Sequence, residues 1–216
     1  MRCPVPVLAL AATLVASGLA GCAVPYSVGA TAATAPVRTV VPAGIVQIAS
    51  ADRALETTDR ATGAVATIGT EARFGLDPHS DVGVRVLGAG TFVTSYKRRL
   101  SGDGEVGTAL LVGAGVVGLR WFHGEATLVR AWPARGQVTP YAGVRVQSMT
   151  PFAGDAAEVP PAVGVFAGGR IGWPDLAVSP EVGVFYSESP LRGDSPLLIV
   201  PSVTVHGDRL MRALGL

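Results

Sequence analysis

The chain has 216 residues, a formal net charge of +1 from 17 basic and 16 acidic side chains, and two cysteines. So even a balance excludes electrostatic steering of nucleic acid, and so few cysteines exclude a disulfide framework. Hydrophobic residues make up 49% and glycines number 28, yet past residue 21 no apolar run approaches the roughly 20 residues of a spanning helix.

The first predicted element is a targeting signal. Arg2 precedes "PVPVLALAATLVASG", which is short for a membrane span and suits a secretory hydrophobic region. The stretch ends in Leu19-Ala20-Gly21-Cys22, which resembles the lipobox of bacterial lipoproteins. That resemblance implies a signal peptide over 1–21 and lipidation of Cys22. It also implies sorting to the outer membrane of a Gram-negative cell envelope, since Ala23 stands where an aspartate would favour retention in the inner membrane. Loss of 1–21 removes Arg2 and Cys3, so basic and acidic side chains then balance. Acyl chains contribute about 0.8 kcal/mol per buried CH₂, and a diacylglycerol plus an amide-linked chain meets the two-signal requirement for a stable anchor. Residues 22–42, "CAVPYSVGATAATAPVRTVVP", follow no helical or strand period and read as a flexible, lipidated tether. About 175 residues then remain, enough for one domain.

From there the hydrophobic pattern has period two, the period of a strand. In "AVATIGTEARF" one parity carries Ala66, Ile68, Ala72 and Phe74, the other Thr67, Gly69, Glu71 and Arg73. "DVGVRVLG" sets Val82, Val84 and Val86 against Asp81, Gly83 and Arg85, and "PYAGVRVQ", "AVGVFAGGRI" and "PEVGVFYS" alternate likewise. Strands are predicted near 43–50, 64–75, 81–88, 91–99, 106–117, 120–132, 138–149, 161–172, 176–187 and 197–206, separated by turn signals such as "LDPHSD", "SGDGE" and "PARGQ". The expected fold is all-β, an antiparallel up-and-down meander barrel of 8–10 strands over 43–206, with 207–216 as a C-terminal tail. Many of the strands have the roughly 9–11 residues that a tilted strand needs to cross a bilayer.

"LLVGAGVVGLR" carries Gly113, Gly115 and Gly118 at the spacing of a dinucleotide-binding loop. That loop needs a helix after it and an acidic residue about 20 positions on. "WFHGEATLVRAWP" follows instead, with Gly124 inside it and Pro133 at its end; Glu125 comes too early and Asp155 too late. The glycines read as gaps that let strands and interior side chains approach.

A period-two strand can turn its apolar side inward, in a soluble calyx, or outward, in a membrane barrel. Here the polar parity is mostly Gly and Ser, punctuated by Glu71, Arg73, Arg85, Lys97, Arg99, Arg145, Arg170 and Glu181. That composition suits a narrow lumen filled by an ion network, with Glu125 as a further partner. Six bases to two acids leaves a surplus, which implies bases near the rims or a bound anion. The region 43–206, with "TEARFGLDPHSDVGVRV", "TPYAGVRV" and "SPEVGVFY", resembles the small outer-membrane β-barrel superfamily. The resemblance implies an aromatic girdle, for which Phe92, Tyr96, Trp121, Trp132, Trp173 and Tyr186 are the candidates.

Chemistry is sparse. His79, His123 and His206 lack metal spacing, no G-x-S-x-G elbow is present, and no cofactor is implied. Ser202 and His206 with Glu181 would be the residues of a lipid-modifying hydrolase, but four residues along a strand span roughly 13 Å. The expectation is a monomeric, non-enzymatic, lipid-anchored barrel with a structural or binding role, contacting outer-membrane lipids and a protein or ligand through its loops, foremost 150–161, which reads as the longest connection. The alternative is a soluble, periplasm-facing, lipocalin-like calyx with an apolar ligand.

Overall fold

The computed structural model describes residues 24–50, 64–88, 90–152, 159–173, 176–187 and 196–207. The signal peptide, Cys22 and the tail lie outside them.

Ten strands form a closed antiparallel barrel: β1 (Val40–Ser50), β2 (Ala64–Asp77), β3 (Ser80–Leu87), β4 (Thr91–Asp103), β5 (Val106–Val117), β6 (Trp121–Ala131), β7 (Val138–Pro151), β8 (Val159–Trp173), β9 (Leu176–Tyr186) and β10 (Leu197–His206). Each strand pairs with its sequence neighbours, and β1 closes on β10 through partners such as Ala43 with His206 and Gln47 with Ser202. The expected meander is therefore present, with ten strands rather than eight. β1 starts three residues earlier than expected, because Val40 and Val41 pair with Phe74 and Arg73.

The connections sort into two ends. Residues 78–79, 104–105 and 132–137 join strands at one end, the turn end, where β8 finishes, β9 begins, β1 begins and β10 finishes. At the other end, the loop end, β1, β3, β5, β7 and β9 finish and β2, β4, β6, β8 and β10 begin. The 150–161 stretch is not the longest connection, because β7 runs on to Pro151 and β8 starts at Val159. In the tight β4–β5 turn Gly104 takes φ +54°, a left-handed conformation natural to glycine. In the β2–β3 turn the Asp77 carboxylate accepts hydrogen bonds from Ser80 Oγ at 2.5 Å and His79 N at 2.7 Å. These bonds hold it below its usual pKa range.

The two strand faces separate cleanly. Val84 is 42% exposed while Arg85 is 6% exposed. Along β9 the outward set is Leu176, Val178, Pro180, Val182, Val184 and Tyr186, while Ser179, Glu181 and Phe185 point in. Apolar side chains thus cover the outside, and most charged groups of the polar parity lie within.

The glycines at 113, 115 and 118 have three separate reasons. A Cβ at Gly113 would lie 2.9 Å from Glu125 Cγ, and one at Gly115 would lie 2.0 Å from the Phe92 carbonyl oxygen. Gly118 has φ +62° in the β5–β6 connection. Space for an interior carboxylate, close strand approach and a turn account for the spacing, with no helix following.

Candidate functional site in the lumen

The lumen contains a segment of the chain itself. Of the stretch expected to be a flexible, lipidated tether, the described part packs inside the barrel: Val24, Tyr26, Val28, Ala32 and Ala35 are buried, as are Ser27 and Thr31. This segment runs through the barrel from the loop end, where Val24 meets Val117, Trp121, Met149 and Leu198, to the turn end. There Val37 bridges Gly75, Arg38 N donates to the Gly75 carbonyl at 2.9 Å, and the chain turns back into β1.

An extended chain inside a barrel cannot satisfy its own backbone, so the wall must do so. Gln47 on β1 donates through Nε2 to the Val24 carbonyl at 2.7 Å and accepts from the backbone N of Tyr26 and Ser27 at 3.2 and 3.3 Å. Gln147 Nε2 donates to the Pro25 carbonyl at 2.8 Å. The Glu181 carboxylate accepts from Val28 N and Gly29 N, each at 2.9 Å, in the manner of an anion cradled by two successive amides. Arg145 Nη1 donates to the carbonyls of Tyr26 and Ser27, and Arg85 Nη1 to that of Ser27 at 2.7 Å. Nearer the turn end Lys97 Nζ donates to the Ala33 carbonyl, Asp81 accepts from Ala35 N at 2.8 Å, and Thr31 Oγ1 donates to Glu105 at 2.5 Å.

Ion pairs tie these wall residues together. Glu71 joins Arg73 at 2.5 Å and Arg85 at 2.9 Å, and Arg73 continues to Asp81 at 2.5 Å. Glu125 takes Arg145 on one side and His123, at 3.0 Å, on the other. Arg170 lies 3.3 Å from Glu105, and Arg99, beside the turn end, lies 3.7 Å from Asp103 and donates to the Pro78 and Gly104 carbonyls. All eight residues singled out from the sequence can thus be placed: Glu71, Arg73 and Arg85 in one cluster, Arg145 with Glu125, Lys97 and Glu181 on the threaded backbone, and Arg99 and Arg170 toward the turn end. Sequence reasoning missed Asp81, Glu105 and Gln47 as partners and missed the segment they hold. The inferred surplus of bases is met by carbonyl oxygens of that segment as well as by carboxylates.

Apolar contacts complete the packing. Tyr26 and Phe185 rings meet at 4.8 Å between centroids, tilted by 56°. Val28 and Ala32 pack with Ala109, Leu111, Val129, Tyr141 and Phe166. Trp121, expected in an outer girdle, instead points inward and is 9% exposed. Ser202 and His206 do not form a pair; His206 Nε2 lies 3.1 Å from Ser179 Oγ, one strand over, and Ser202 Oγ is buried without a hydrogen-bond partner. Among the described residues no group of three or more His, Cys, Asp or Glu is placed to hold a metal ion.

Ring size matches this content. With strands about 4.8 Å apart and tilted by about 40°, ten strands enclose roughly 20 Å between opposite backbones and eight only roughly 16 Å. A central strand then lies about 10 Å from each wall, the usual distance between packed sheets. Eight strands would leave too little room.

Fit is tightest at Gly29. It has φ +56°, and a Cβ there would lie 1.9 Å from Thr204 Oγ1 and 2.6 Å from Thr204 Cβ. Gly29→Ala is expected to combine about 1–2 kcal/mol of left-handed strain with about 1–3 kcal/mol of overpacking. A lowered urea midpoint in lipid vesicles checks it, and Thr204→Gly in the same chain should return only the packing share.

No family model matches the chain, and no curated protein matches it. Among solved structures, Neisserial surface protein A shows 13% identity over 78% of this chain and 95% of its own, with a TM-score of 0.38. A de novo designed transmembrane β-barrel shows 13% identity over 80% of this chain and 98% of its own, with a TM-score of 0.34. The N-terminal β-barrel domain of Pseudomonas aeruginosa OprF shows 10% identity over 79% of this chain and 99% of its own, with a TM-score of 0.33.

Proposed function

We propose that this chain is a monomeric, lipid-anchored outer-membrane β-barrel with a structural or binding role, its lumen closed by its own residues 24–36. The observation that carries the reading is the outward apolar surface. Leu176, Val178, Val182 and Tyr186 on β9, with Leu197, Ile199 and Val203 on β10, are all more than a third exposed to solvent. So extensive an apolar surface marks contact with lipid or protein. It is bounded by aromatics at both ends. Phe92 and Phe122 both pair with Val116, and Phe152 and Tyr186 share their loop-end side; Phe74, Trp132 and Trp173 lie toward the turn end. From Leu176 to Tyr186 the height is roughly 25 Å at about 3.3 Å per residue and a 40° tilt, close to the apolar band of outer-membrane barrels.

Several outward polar groups of the strands are tied back. Thr94 Oγ1 donates to the Ala114 carbonyl at 3.1 Å, and toward the turn end Arg98 pairs with Asp77 at 3.4 Å while Arg130 Nη1 donates to Thr108 Oγ1 at 3.2 Å. A calyx carrying an apolar ligand would reverse the two faces. A barrel filled by its own backbone and side chains fits structural or loop-mediated work better than transport or catalysis.

Three native tryptophans provide the test. Single-tryptophan variants made with phenylalanine are reconstituted in brominated phosphatidylcholine. Quenching is expected to be strong at outward Trp132 and Trp173 and weak at inward Trp121. Equal quenching at all three, or a chain that folds in buffer without detergent and ignores the vesicles, overturns the reading.

A further inference from the structure

The direction of the threaded segment fixes which side of the membrane the preceding chain occupies. Three of the four turn-end connections are two residues long, while three of the five loop-end connections run to seven or more, the arrangement in which turns face the periplasm and loops the exterior. Val24, the first described residue, sits at the loop end against Val117, Trp121, Met149 and Leu198. Ala35 and Pro36 sit at the turn end beside Asp81 and Gly75. Contacts between them keep chain order: Gln47 and Gln147 hold Val24 to Ser27, Glu181 holds Val28 and Gly29, and Lys97 and Asp81 hold Ala33 and Ala35.

We infer that the barrel passes its own N-terminus across the membrane and displays the chain ahead of Val24 at the external mouth, so that a lipid on Cys22 anchors in the outer leaflet. Two residues of extended chain reach about 7 Å, whereas the periplasmic interface lies about 25 Å away. Cys22 cannot span that gap while Val24 remains in place. This inference rests on the membrane reading above and deepens it, since a lipoprotein tethered on the periplasmic side would hold its acyl chains in the opposite leaflet.

The test uses the full chain in intact Gram-negative cells, with one short epitope inserted after Ala23, after Leu119 at the loop end, or after Gly136 at the turn end. The first two epitopes are expected to bind antibody on intact cells, and the third only after permeabilisation. An Ala23 epitope that stays hidden while the Leu119 epitope is exposed overturns the inference, as does exposure of the Gly136 epitope in place of Leu119. If none is exposed and the protein fractionates as soluble, the membrane reading itself has failed. Should the insertions prevent folding, Val24→Cys with Met149→Cys replaces them. A gel shift from an oxidised cross-link in isolated membranes supports the threaded direction, and its absence in folded, heat-modifiable protein overturns it.

Discussion

Arg145→Met is expected to destabilise the barrel by about 3–5 kcal/mol, the cost of leaving a buried partner charge uncompensated. Arg145 is 1% exposed, pairs with Glu125 and donates to the carbonyls of Tyr26 and Ser27. Methionine fills much of the same volume and offers no donor. Glu125 loses its direct ion pair with Arg145 and keeps that with His123, and the Tyr26 carbonyl loses its hydrogen bond from Arg145 while Ser27 retains Arg85. Urea unfolding in vesicles, followed by tryptophan emission, measures the loss. Adding Glu125→Gln removes the stranded charge and should recover a large part of it; independent, additive costs would show that the two groups do not act together.

Deleting residues 24–36 is expected to turn a silent barrel into a conducting one. The segment occupies the axis of a lumen roughly 20 Å across between backbones. Without it, Gln47, Gln147, Glu181, Lys97 and Asp81 lose their backbone partners and must be hydrated instead. Each lost hydrogen bond removes about 0.5–1.5 kcal/mol, more where a charge takes part, and entering water offsets a share. In planar bilayers the intact chain should give no steps and the shortened chain discrete ones. Equal behaviour of the two would mean that the segment does not close the lumen.

Much of this architecture was legible as alternation. "DVGVRV" has one reading when every second residue is valine, and the outward Val84 beside inward Arg85 follows from it. The lumen charges were legible for the same reason, because Glu71, Arg73 and Glu181 stand on the polar parity of strongly alternating strands. What stayed hidden was the use of residues 24–36. Their Ala, Val, Ser, Thr and Gly side chains follow no period, because a segment enclosed on all sides has no solvent face to mark. Its trace was indirect: more bases than acids on the lumen parity, which carbonyl oxygens of the enclosed backbone help to satisfy. Glu105 belonged to a turn signal and so did not announce its inward reach, whereas Asp81 stood on the polar parity of "DVGVRVLG" but also closed the turn signal "LDPHSD", so its part in holding the threaded backbone was not read. Trp121 was misplaced because a ring at a strand end suits a girdle and a lumen plug equally well until its parity is fixed.

The seam between β1 and β10 gives the molecule a late point of commitment. Thr204 on the final strand abuts Gly29 near the start, and His206 completes the pairing with Ala43. Until the last-made stretch arrives, the first-made stretch has an unfinished cylinder around it, and contacts this distant in sequence form slowly. Assembly is therefore all-or-nothing with respect to chain length: a nascent or truncated product leaves oily flanks and bare amides open together, and depends on escort until its final strand docks.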